Sequence, residues 1–156
     1  MKENFTYEKL TPMLKHYVDV KDSFRDSLLL YRVGDFYESF FDDAIITSKT
    51  IGLTLTGKEC GHDKKAPMCG VPYHVIDNYV NKLVKKGYKV ALCDQVEDPK
   101  KAKGLVKRAI TRVITPGTIT DMESLDTREN NYLLSIFQNN YGIGISYCDI
   151  STGSLY

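Results

Sequence analysis

No run of apolar residues in this sequence is long enough to cross a bilayer, and no charged, apolar, small-residue leader opens it. A soluble, cytoplasmic protein is therefore the expectation. Only four cysteines are present, Cys60, Cys69, Cys93 and Cys148, and they lack the spacing of a disulfide framework, as suits free thiols in a reducing compartment. Cations are scarce at the ends. Residues 1–57 carry 7 Lys/Arg against 9 Asp/Glu and residues 116–156 carry 1 against 5, whereas residues 58–115 carry 13 against 6. A basic middle between acidic flanks points to a polyanion-facing surface, with an ordinary solvated face as the plainer alternative.

What is there is enough for a core: 156 residues, 42% of them hydrophobic, fit one domain and part of another. Thr11-Pro12 starts a helix in which Met13, Leu14, Tyr17, Val20 and Phe24 recur at helical spacing. The apolar run Leu28 to Val33 reads as a buried strand, broken by Gly34-Asp35. Helical projection of the next residues puts Tyr37, Phe40, Ala44, Ser48 and Ile51 on one stripe, so a helix is expected from Asp35, capped by its carboxylate and by Glu38 three residues on. Phe36 then sits off that stripe in the first turn, where little helix covers its ring. The competing assignment makes Phe36 an ordinary core residue.

Gly52 to Gly57 alternates like a short strand, and Pro67 to Pro72 reads as a stiffened loop. A helix runs from Tyr73 through Val84 to a Gly87 stop, and Val90 to Val96 alternates as a strand. After the cationic run Lys100, Lys101, Lys103, Lys107, Arg108 and Arg112, a further strand places Val106, Ile110 and Ile114 on one face with Arg108 and Arg112. The expected fold is α/β: a mixed sheet flanked by helices over residues 1–115, an acidic linker at 116–127, and the first strands of a truncated second α/β domain at 128–156.

Three kinds of chemistry are tested against these residues. Gly52 to Lys58 matches the first seven places of a phosphate-binding loop, but Glu59 stands where a Mg²⁺-holding Ser or Thr belongs, and the segment follows a helix instead of opening one. Cys60, His62, Cys69 and His74 have the residue types of a zinc site without its usual spacings. Asp35, Glu38, Asp42 and Asp43 supply carboxylates for a metal-dependent nuclease, but no histidine or lysine stands beside them as base. No catalytic residue and no metal are assigned. What remains is a basic surface, a rigid loop and an aromatic beside a carboxylate, parts that suit a protein entering the minor groove and unstacking a weak base step.

The motifs LLLYRVGDFYESFFDDA, APMCGVPYH, LVKKGYKVALCDQVEDP, RVITPGT and DISTG, in that order, resemble the mismatch-sensing domain of the bacterial MutS family of DNA mismatch-repair proteins. The resemblance implies that Phe36 stacks on a mispaired base from the minor groove and that Glu38 hydrogen-bonds that base. A carboxylate beside polyanionic DNA is repelled by a regular duplex, so Glu38 would also penalise the wrong complex. Met68, Gly70, Lys58, Lys100, Lys101, Lys103, Lys107 and Arg108 are the expected supporting loop and backbone contacts. The resemblance further implies a longer, homodimeric, nucleoid-associated protein that couples DNA binding to ATP and Mg²⁺ through a C-terminal ATPase domain outside this sequence. It also implies recruitment of a MutL-type repair partner, and places the opening of a connector domain from about residue 128. Cys69 stands where relatives often carry another small residue. The alternative is a non-catalytic protein-interaction module with Phe36 in the core.

Overall fold

The computed structural model describes residues 5–98, 104–116, 130 and 132–156. The chain divides into two compact units, Met1–Pro116 and Gly117–Tyr156. In the first, helix α1 (Pro12–Ser23) precedes strands β1 (Ser27–Val33) and β2 (Phe36–Phe40), helix α2 (Phe41–Ile51), strands β3 (Thr56–Lys58) and β4 (Ala66–Pro72), helix α3 (Ile76–Lys85), and strands β5 (Lys89–Gln95) and β6 (Arg108–Ile114). The sheet order is β3-β4-β2-β1-β5-β6, with β1 and β5 parallel and every other pair antiparallel. It is the mixed α/β sheet that the alternation of helical and strand patterns implies.

Burial on both faces explains the near-continuous apolar run of β1. Leu29 and Tyr31 face α1 and pack with Leu14, Tyr17, Phe40, Ala91 and Cys93, whereas Leu28 and Leu30 face α3 and pack with Tyr37, Val80, Leu83, Val90 and Leu92. Under the first face lies a buried ion pair: Lys21 Nζ stands 2.9 Å from Asp43 Oδ1, and the Asp43 carboxylate also accepts from the Leu29 amide at 3.0 Å and the Tyr17 hydroxyl at 3.2 Å. Burial pushes the Asp43 carboxyl above its ordinary value, against the pull of Lys21. This pair ties α1, β1 and α2 together.

Several local expectations are corrected. Residues 36–40 form a strand, not the first turn of a helix. Gly34-Asp35 is a two-residue hairpin connection, with Val33 opposite Phe36 and Gly34 at φ +56°. Asp35 and Glu38 therefore cap nothing; the residue before α2 is Phe40, and its side chain makes no capping bond. Tyr37 and Phe40, projected onto one stripe, lie on opposite faces of the sheet because strand side chains alternate. The strand placed at Gly52 to Gly57 is displaced to Thr56–Lys58, since Gly52 at φ +72° terminates α2.

Pro67 to Pro72 belongs to β4, its prolines confined to the second and last residues of the strand. In β6 a register shift pairs Leu92 with Arg112 but Cys93 with Ile110. This bulge sends Ile110 into the α1-side cluster and Ile114 into the α3-side cluster, so the shared face expected for them, and for Arg108 with Arg112, does not exist. The second unit is a three-stranded antiparallel sheet of β7 (Tyr132–Asn139), β8 (Gly142–Asp149) and β9 (Ser154–Leu155). Its β7–β8 turn is held by Asn139 Oδ1, which accepts from the amides of Tyr141 and Gly142 at 2.9 and 3.1 Å. The residues assigned to a linker fall, from 117 on, outside the described residues.

Candidate nucleic-acid interface

The β1–β2 hairpin carries Phe36 as the first residue after its turn. Phe36 keeps 46% of its surface exposed, which removes it from the core. Its strand neighbours are Val33 on one side and Pro72 on the other. The turn is braced from behind: Arg32 Nε donates to the Gly34 carbonyl at 2.5 Å, and the Tyr73 amide donates to the Asp35 carbonyl at 2.9 Å. The Arg32 guanidinium also lies 3.9 Å from the centre of the Tyr73 ring, a cation–π contact that joins the two braces.

Glu38 projects from the same face of β2 as Phe36, two residues along. It is flanked by Tyr31 on β1 and Gly70 on β4. A Cβ at Gly70 would come within 3.3 Å of the Glu38 Cγ and of the Tyr37 carbonyl, so the glycine is what admits the carboxylate side chain here. The side chain is only 12% exposed, and Lys58 Nζ stands 3.2 Å from its Oε2. Met68 is half-buried against the α1-side cluster, opposite Phe40 and Thr56.

Of the basic residues singled out, Lys107 is exposed, and its amide donates to Glu97 Oε1 at 2.7 Å. Arg108 is turned inward: Nε donates to the Arg32 carbonyl at 2.9 Å, an Nη to the Val106 carbonyl at 2.8 Å, and its guanidinium lies 4.9 Å from the Tyr31 ring centre. Burial pushes the Tyr31 phenol up to about 12 despite the nearby Arg108 charge. His16, bonded to that phenol at 2.9 Å, is lowered by burial and then by Arg108. Lys100, Lys101 and Lys103 lie outside the described residues. The candidate-site residues that sequence reasoning missed are Arg32 and Tyr73, whose signal was their position two residues before Gly34 and immediately after Pro72.

Among the described residues the side chains weighed for other chemistries lie apart. Asp35 lies on the hairpin turn, Asp42 is exposed on α2 and Asp43 is buried with Lys21, so the four carboxylates do not converge. Cys60 donates to the Lys64 carbonyl, Cys69 to the Ala44 carbonyl, and His62 bonds the Thr6 carbonyl. Among the described residues no group of three such side chains is placed to hold a metal. Burial raises the Cys69 thiol to about 11, so it is held as a core thiol. Among the described residues no helix is long and apolar enough to cross a membrane.

The fold and this surface define a mixed α/β domain that presents an uncovered aromatic and a paired carboxylate from one hairpin. Residues 11–123 match the family described as MutS domain I, and the chain belongs to that family. It is 56% identical over 147 residues to the DNA mismatch repair protein MutS of Alkaliphilus oremlandii, covering 94% of this chain and 17% of that protein. It is 53% identical over 147 residues to that of Ruminiclostridium cellulolyticum, covering 94% and 17%. With the protein of Clostridioides difficile it shares 54% over 145 residues, covering 93% and 15%. The chain thus spans about one sixth of the length of these relatives.

Proposed function

We propose that this chain is the mismatch-sensing part of a longer DNA mismatch-repair protein, with residues 1–115 as the sensing domain and residues from about 128 as the opening of a connector domain. Phe36 enters the minor groove and stacks on a mispaired base; Glu38 hydrogen-bonds that base. The observation that carries this reading is Phe36, 46% exposed at the start of a strand that follows a braced two-residue turn. Inserting an apolar ring between base steps costs a few kcal/mol of stacking, and least where pairing is already defective, so the wedge selects the step that yields. A rigid turn matters because a mobile ring would lose part of that energy in ordering.

Lys107 and the lysines of 100–103 supply phosphate attraction, with Lys58, Met68 and Gly70 shaping the surface beside the wedge. Arg108 acts less as a phosphate ligand than as a strut, since its donors are turned to the Arg32 and Val106 carbonyls. The longer protein would be a homodimer that couples sensing to ATP and Mg²⁺ through a separate domain and recruits a MutL-type partner. The test is binding of the full-length protein and its Phe36→Ala variant to matched and mispaired duplexes across salt concentrations. Loss of mismatch preference with persistence of weak, salt-sensitive binding supports the reading; an unchanged preference refutes it.

A further inference from the structure

We infer that Lys58 is a specificity-determining residue that acts through Glu38: it neutralises the carboxylate in the free protein and on regular duplex, and releases it when a mispaired base competes for it. The inference rests on the reading of Glu38 given above. Its basis is local. Lys58, the last residue of β3, places Nζ 3.2 Å from Glu38 Oε2, and the Glu38 side chain is 12% exposed against 34% for Lys58. The more buried partner is the one that would need to face DNA. Lys58 reaches Glu38 from the β4 side, where Gly70, the β4 residue opposite Glu38, carries no side chain.

An unpaired carboxylate this close to phosphates repels every duplex, matched or not. With Lys58 attached, the pair is neutral and that repulsion is blunted. On a mispaired step Glu38 exchanges Lys58 for the base, and the freed ammonium turns to a phosphate, where it displaces a counterion. On a fully paired step nothing replaces the ammonium, so the exchange does not occur. Lys58 therefore sets how much of the Glu38 charge a correct duplex meets, a role different from that of a lysine that merely contacts the backbone.

The experiment uses the full-length protein with Lys58→Met, Lys58→Arg, Glu38→Gln and the double variant, each measured on matched and mispaired duplexes over a range of salt. Lys58→Met is expected to weaken matched-duplex binding more than mismatch binding, raising the mismatch preference about threefold. Its salt slope falls on both duplexes, through a lost phosphate contact on the mispaired one and through the uncompensated carboxylate on the matched one. Lys58→Arg keeps the wild-type preference, because it restores the ion pair. In the Glu38→Gln background, Lys58→Met weakens both duplexes equally and leaves the preference alone. Thermal unfolding checks that each variant folds, and Lys58→Gln replaces Lys58→Met if that one does not. A preference that is unchanged or lower in Lys58→Met overturns the inference, as does an equal loss on both duplexes with Glu38 intact. If Phe36→Ala also leaves the preference unchanged, the site reading itself has failed; if it abolishes the preference, only the role of Lys58 has.

Discussion

Gly70 stands opposite Glu38 in the β2–β4 pair, and a methyl group on its Cα would meet the Glu38 Cγ at 3.3 Å. The missing side chain thus spares the carboxylate stem a tight contact. Gly70→Ala should push Glu38 by a few tenths of an ångström without strain at its own backbone, because Gly70 is not among the residues with positive φ. Thermal unfolding should move by less than about 4 °C, the scale of about 1 kcal/mol in a domain this size. Mismatch preference, read from matched and mispaired duplex binding, should fall. A normal preference in a variant whose Glu38 has been displaced would argue that its placement is unimportant.

The Lys21–Asp43 pair makes a stability prediction independent of DNA. With side chains 8% and 4% exposed, these charges have no water to fall back on. Replacing one partner leaves the other buried and uncompensated, a change that costs about 3 kcal/mol or more. Lys21→Met should lower the urea midpoint accordingly, and an unchanged midpoint would show that the pair contributes nothing net. Asp43→Asn, which keeps hydrogen-bonding capacity for the Leu29 amide and Tyr17 but strands Lys21, should cost a comparable amount.

Alkaline pH should unfold the first unit in a predictable window. Burial lifts the Cys69 and Cys93 thiols from 9.0 to about 11, and lifts the Tyr31 and Tyr37 phenols from 10.0 to about 12, Tyr37 also through its bond to Asp94. Each group is raised in the folded state, so the unfolded chain loses its proton first. Stability is then fully present below about pH 9 and falls as pH rises through 11 to 12. Each buried thiol contributes about 2–3 kcal/mol in this way. A spectrophotometric titration should show Tyr31 and Tyr37 ionising together with loss of the circular-dichroism signal. Ionisation of Tyr31 and Tyr37 near pH 10, with the fold intact, would contradict the burial argument.

Much of the architecture was legible because burial leaves a period in the sequence. Leu14, Tyr17 and Val18 on α1 and Val80 and Leu83 on α3 repeat at helical spacing, and Gly87 at φ +87° follows the last turn as a stop. Gly34-Asp35 joins two strands and does not open a helix; FYESF is short, with aromatic residues on both faces, a pattern compatible with either structure. A Gly-Asp pair between two strand-like runs was the available signal for a two-residue turn. On a strand, Phe36 and Glu38 share a face.

Other features had no local signature. The β6 bulge depends on a register with β5 that nothing in residues 108–114 announces, and it alone separates Arg108 from Arg112. The former covers Tyr31 while the latter pairs with Asp77 on α3 at 2.9 Å. The Lys58–Glu38 pair joins residues twenty apart and required the strand order β3-β4-β2 before it could be seen.

The most direct test asks whether the Phe36 ring unstacks a base. A duplex carrying the fluorescent base 2-aminopurine beside a mispair is quenched by stacking and brightens when the step is opened. Binding of the full-length protein should raise its emission on the mispaired duplex and not on the matched one, and Phe36→Ala, titrated to the same occupancy, should abolish the rise. An equal rise with Phe36→Ala would contradict the wedge.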